Sequence, residues 1–201
     1  SIQKNTLLNI VGALIPILIS LVTVPLYLSL IGEARYGVLA IIWLLLGYYG
    51  VFTLGFGRAI ANQVAKMPEG SHEELNNLFW TALLTITIVG LIGGVILFWI
   101  GSVYFDQSIK MPVDLRPEVI IALPWLILAV PVNTASAVLI GALECRERFG
   151  VVNIVGVSSV ALSQLVPLLV ALTWGTQLSG LVGAVAISQL FGAIILFIAC
   201  I

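Results

Sequence analysis

The chain has 201 residues and a net charge of −1; 61% of it is hydrophobic and only 8% charged, for a mean hydropathy of +1.20. Soluble domains carry about a quarter charged residues, so an ordinary soluble fold is excluded, and no nucleic-acid partner is expected. Backbone polar groups in lipid must be satisfied internally, which leaves helices or a closed barrel. The roughly ten-residue polar–apolar alternation of barrel strands is absent, and the apolar runs reach the ~20 residues that a spanning helix needs. The expected class is an all-α, polytopic membrane protein.

Six spans are expected: Leu7–Ile31, Gly37–Ala61, Asn76–Gly101, Glu118–Gly141, Val151–Thr173 and Gly180–Ile201. The first is too long for a signal-peptide core and lacks a small-x-small cleavage site, so it reads as a retained span. It carries a stripe, Asn5, Asn9, Gly12, Pro16, Ser20, Thr23 and Tyr27, whose spacing places all seven on one helical face. Pro16 and Pro25 are candidate hinges, because a proline inside a helix removes one backbone hydrogen bond. Such a face looks into a bundle or a watery cavity; the alternative is close helix packing through small residues.

Near the end of the second span, "TLGFGRAIANQVAK" holds Arg58. This cation either snorkels to headgroups or offers an anion a bidentate guanidinium fork. Gly55 and Gly57 beside it permit close backbone approach or a bend. The fourth span is interrupted and polar at its centre, with Pro124, Pro131, Asn133, Thr134 and Ser136. The fifth carries Asn153, Gly156, Gln164 and Pro167. In the sixth, Gly180, Ala184, Ser188 and Gly192 recur every fourth residue, the small-xxx-small pattern of close helix contact.

Lys4, Arg58, Lys66, Arg146 and Arg148 fall on one side of these spans and Arg35, Lys110 and Arg116 on the other. The Lys/Arg bias therefore places both ends of the unit inside and 102–117 outside. Tyr27, Tyr36, Trp99, Tyr104 and Trp174 form an interfacial belt at the outer ends. "RYGVLAI" (35–41) and "RFGVVNI" (148–154) repeat one another and open the second and fifth spans on opposite faces. They are either a shared way of starting a membrane helix or the trace of an inverted repeat. A cation at a helix N-terminus opposes the macrodipole, so Arg35 and Arg148 each call for an anionic partner, Glu or phosphate.

Cys145 and Cys200 fit no metal or redox spacing and read as buried thiols. His72 falls in a loop, and no span holds an Asp or Glu of the kind that relays protons or sodium in many pumps. No metal, cofactor or catalytic residue is expected. The start at Ser1 and the stop within an apolar run point to a piece of a longer protein.

Three stretches carry a family resemblance. "YLSLIGEARYGVLAI" resembles the junction of the first two helices in polysaccharide biosynthesis proteins, the Wzx-type flippases of lipid-linked oligosaccharides (O-antigen). "TLGFGRAIANQVAK" is similar to their "DLGLGRA" stretch, with Thr53 where the family often has Asp, so no role passes to a carboxylate there. "GALECRERFGVVNIVGVSS" resembles their fourth-to-fifth helix junction. The resemblance covers most of the chain. It implies that 1–201 is the N-terminal six-helix lobe of a two-lobed transporter in the bacterial plasma (inner) membrane. The implied activity moves undecaprenyl-diphosphate-linked oligosaccharide from the inner to the outer leaflet. Arg58, Gly55, Gly57, Arg35 and Arg148 pass over residue by residue. Asn9, Ser20, Thr23, Asn133 and Gln164 are the polar candidates on cavity faces. The partners implied are the lipid-linked substrate, membrane lipids, and the polymerase and chain-length proteins of the same pathway. Three rivals stand beside this reading: a cation-coupled multidrug exporter of the same superfamily, a membrane glycosyltransferase or polymerase acting on the same lipid carrier, and a purely structural membrane subunit.

Overall fold

The computed structural model describes the backbone of residues 2–64, 72–107, 115–146 and 148–200, and the side chains of 14–47, 63, 73–103, 115–146 and 148–200. Six helices follow in order: α1 (Ile2–Val64), α2 (His72–Gln107), α3 (Leu115–Ala122), α4 (Pro124–Cys145), α5 (Phe149–Thr173) and α6 (Leu178–Cys200). Among the described residues, five helical stretches are long and apolar enough to cross a membrane, in α1, α2, α4, α5 and α6. The chain is a polytopic all-α membrane protein.

The first two expected spans are the arms of α1 (residues 2–31 and 33–64). They meet at Gly32, whose backbone is non-helical (φ 78°, ψ 163°). Such a conformation is open in practice only to glycine. The bend is sharp. The rings of Tyr27 and Trp43 lie 5.7 Å apart, although sixteen residues of straight helix would carry the chain about 24 Å. The expected connection from Ile31 to Gly37 thus shrinks to one residue, and 33–36, which include Arg35, are already helical. Likewise α2 starts at His72, so this residue belongs to a helix and not to a loop.

The fourth expected span is divided. Pro124 has no N–H for the carbonyl of Ile120, and the chain turns at Leu123, which keeps helical angles (φ −56°, ψ −38°) and still bonds Val119 O at 3.0 Å. The result is the short α3 set against the start of α4.

Helices α4 and α6 form the centre, with half of each spanning stretch buried; in α1, α2 and α5 the share is 17–22%. Without water to drive apolar surfaces together, membrane helices associate through fit and hydrogen bonds, and the fit here is made by small residues. A Cβ on Gly90 of α2 would stand 2.2 Å from Thr134 Oγ1 and 2.8 Å from the Pro131 backbone of α4. Gly192 of α6 is pressed against Ser159 of α5, whose Oγ would lie 2.3 Å from an added Cβ. Ser188 Oγ reaches the Leu162 carbonyl of α5, so the small-residue face of α6 is a contact with α5. One apolar cluster (Tyr27, Leu39, Leu126, Leu178 and Leu181 among its members) fills the end near the α1 bend. A second, with Leu139, Leu143, Val155 and Leu196, fills the other. Cys200 is buried in the latter, whereas Cys145 is exposed: it ends α4, where the helix runs out of neighbours.

Candidate functional site

The described part of the α1 stripe turns toward α5. Thr23 is 3% exposed and Tyr27 fully buried. Thr23 Oγ1 donates to Gln164 Oε1 at 3.1 Å, Gln164 Nε2 donates to Ser20 Oγ at 3.0 Å, and Tyr27 OH donates to the backbone carbonyl of Gln164. Ser20 Oγ also lies 2.8 Å from the Pro16 carbonyl, four residues back, a bond that tends to bend a helix. Gln164 sits fifteen residues into the 25-residue α5, deep in the span, where an unpaired amide would be costly. Two hydroxyls from one face of α1 answer it, and a third, that of Tyr27, takes the backbone carbonyl of the same residue. The sequence stripe therefore brings together Ser20, Thr23 and Gln164 as one interhelical network, with Pro16 one turn before it.

Beside that network is an aromatic group. Tyr36 and Trp43 pack edge-on at 6.4 Å, and both contact Tyr27. The indole Nε1 of Trp43 is buried without a hydrogen-bond partner among the described residues. Trp43 was not among the sequence candidates; an aromatic in an apolar run carries no signal of its own. Asn133 is separate from the Gln164 network: its Nδ2 donates to the Leu46 carbonyl at 2.7 Å, tying α4 to the second arm of α1.

The two arginines of the repeated stretch sit at opposite ends of α6. Arg35 forms a two-point pair with Glu118, Nε to Oε2 at 2.9 Å and Nη2 to Oε1 at 2.5 Å. The same carboxylate accepts the Leu178 N–H at 3.2 Å, one of the N–H groups left free at the start of α6. One anion thus neutralises Arg35 and favours the positive end of a helix dipole. The Arg35 bonds hold the Glu118 carboxyl below the ordinary glutamate value of 4.5, against the effect of burial and with help from Leu178. At the other end, Arg148 Nη1 donates to the Ala199 carbonyl at 3.1 Å and Arg146 Nη1 to that of Cys200. Leu178 and Ala199 are about 30 Å apart along the helix.

The expectation of an anionic partner holds for Arg35. For Arg148 the partner is the negative end of α6, since free carbonyls at a helix C-terminus attract cations. Glu118 escaped the sequence reading, because its partner Arg35 lies 83 residues earlier in the chain.

Pro25 is exposed on α1. The side chains of Arg58 and Asn9, and the surroundings of Gly55 and Gly57, lie outside the described residues. Among the described residues no three His, Cys, Asp or Glu side chains gather to hold a metal.

Helices of this length, in this order, with polar residues turned between α1 and α5, invite comparison with known membrane families. The family described as "Polysaccharide biosynthesis protein" matches residues 2–201. The chain belongs to the polysaccharide biosynthesis protein family. A Shigella flexneri protein named "Putative O-antigen transporter" is 27% identical over 196 residues, which cover 96% of this chain and 46% of that protein. The chain thus spans about half the length of this curated relative. No solved structure matches it.

Proposed function

We propose that this chain is one lobe of a polysaccharide exporter, specifically a flippase for undecaprenyl-diphosphate-linked oligosaccharide, working from the inner to the outer leaflet of the bacterial plasma membrane. The observation that carries the reading is the family match along residues 2–201; the O-antigen transporter name of the Shigella relative supports the same substrate class. The physical requirement agrees. A diphosphate cannot cross hydrocarbon unaided, because burying unpaired charge is prohibitive. A flippase must lend it cations and hydrogen bonds while the lipid chain stays in the bilayer. No bond is broken, so the role calls for binding groups alone and not for an enzyme's catalytic residues.

In this proposal both ends of the unit are cytoplasmic and 1–201 is the N-terminal lobe. Arg58, beside Gly55 and Gly57 near the inner end of the second arm of α1, grips the diphosphate when the cavity faces inward. Ser20, Thr23 and Gln164 hold α1 to α5 in the present arrangement and turn their hydroxyls and amide to the sugar when the two helices part. Asn9 and Asn133 extend the polar path, and Pro16 and Pro25 let α1 flex. Arg35 and Arg148, both occupied by partners within the chain, stay at the ends of α6.

The test uses full-length protein in cells that need it for surface polysaccharide. Arg58→Ala, at matched membrane level, abolishes export, and the completed lipid-linked oligosaccharide accumulates on the cytoplasmic side. Arg58→Lys recovers only part, since an ammonium keeps the charge but loses the fork. Normal export by well-inserted Arg58→Ala removes the substrate role. Truncated oligosaccharide in place of accumulated product would make the protein a glycosyltransferase or polymerase. Lost drug resistance with intact polysaccharide would make it a multidrug exporter.

A further inference from the structure

At the Gly32 end of the bundle, the second arm of α1 and α2 touch only sparsely. Between them lies a cavity of about 280 Å³ lined by aliphatic side chains and one glycine. Its floor is the α3–α4 elbow with Ile42, where Val119, Leu123 and Leu126 are nearly inaccessible. Its lips, Ile41 and Ile100, are 41% and 48% exposed, so the groove opens sideways along the apolar outer surface of the bundle. Apolar cavities do not hold water, and the molecules alongside such a surface are lipids. A hydrocarbon chain matches this lining.

A charge one turn away from the lining narrows the choice. Arg116 lies one turn before Val119 on the same face of α3. Its Nε is buried and has no hydrogen-bond partner among the described residues. The nearby Glu118 carboxylate is already engaged by Arg35 and the Leu178 N–H. A buried guanidinium nitrogen without an acceptor is costly, and a phosphate oxygen is the acceptor that an arginine fork fits best.

We propose that this groove is a lipid site: an anionic phospholipid lays one acyl chain between the second arm of α1 and α2 and sets its phosphate on Arg116. The lipid completes the wall where the two helices fail to meet. This assignment stands independently of the oligosaccharide substrate.

The experiment is native mass spectrometry of the full-length protein, delipidated and then titrated with dioleoylphosphatidylglycerol or dioleoylphosphatidylcholine. Wild type retains phosphatidylglycerol about tenfold more tightly than phosphatidylcholine, because the choline ammonium of the latter offsets the phosphate charge that Arg116 meets. Arg116→Gln loses that preference, and Arg116→Lys restores most of it. Ile41→Trp, at an exposed lip, fills the mouth and weakens both lipids without disturbing the helical circular dichroism. The proposal is overturned if wild type holds neither lipid, if it holds both equally, or if these substitutions leave retention unchanged. It is also overturned if undecaprenyl phosphate displaces phosphatidylglycerol far better than added phosphatidylglycerol does; the groove would then belong to the carrier lipid.

Discussion

The α2–α4 and α1–α5 contacts are built from opposite materials. Along α2–α4 the backbones approach because Gly90 leaves room for Thr134 and Pro131, and Thr134 Oγ1 is satisfied by the Pro131 and Ile86 carbonyls. Along α1–α5 the link is made by side chains: Ser20, Thr23 and Tyr27 converge on one glutamine. Interlocked backbones have no substitute partner, so that contact is fixed. Hydroxyls and an amide can exchange partners with water or a ligand at small cost, so that contact can open. The proposed function needs both kinds, and this chain has one of each, with α4 holding α2 and α5 holding the first arm of α1.

The largest effect is expected where the fixed contact is overfilled. Gly90→Val should destabilise by about 3 kcal/mol or more, since an added Cβ meets backbone as well as side chain and overpacking at such a site typically costs 1–3 kcal/mol. Thermal unfolding in detergent reads this as a large drop in midpoint and a loss of inserted protein. Next comes the bend: Gly32→Ala should cost about 2 kcal/mol, because φ 78° with ψ 163° is closed to side-chain-bearing residues. There is open space around Gly32, so the cost is conformational. Gly37→Ala, also in open space, is its control and should be nearly neutral.

Glu118→Gln should cost about 1 kcal/mol at neutral pH, a partly exposed but bidentate pair. The carboxyl is held below its ordinary value, so its contribution is fully present above about pH 4.5 and lost as pH falls through the lower value it has in the fold. The wild-type advantage over Glu118→Gln should therefore be constant from pH 7 to 5 and vanish in stronger acid; melts across that range decide it. The smallest effect is assigned to the contact that opens. Gln164→Leu should cost about 0.6 kcal/mol, the average for hydrogen bonds between membrane helices, yet lower export markedly. A cost equal to that of Gly90→Val would erase the distinction between the two contacts.

Helices, their order and the placement of the repeated arginines at opposite ends were legible in the sequence, because apolar length and charge position carry them directly. The α6 small-residue face was legible for the same reason: a period of four is local. Gly32 was visible as a residue but not as a one-residue bend, since nothing in "SLIGEARYG" states that helix resumes at Glu33. Gly90 and Gly94 stand four apart in α2, a usable signal of close contact that the polar residues elsewhere overshadowed. The Arg35–Glu118 pair and the Gln164 network join residues 83 to 144 positions apart. Local pattern marks each member as polar but cannot name its partner.

The bend at Gly32 also has a consequence for how the protein is made. Its two arms leave the ribosome as a hairpin with Glu33 and Arg35 at the tip, long before the segment that will receive Arg35 exists. At about 5–20 residues per second, synthesis of the 83 residues from Arg35 to Glu118 takes on the order of ten seconds, and Gln164 follows later still. During that interval the hairpin is held by its own aromatic contacts across the bend. The insertion machinery therefore handles a young hairpin with an unpaired charge at its tip, and the order of translation decides when it is locked.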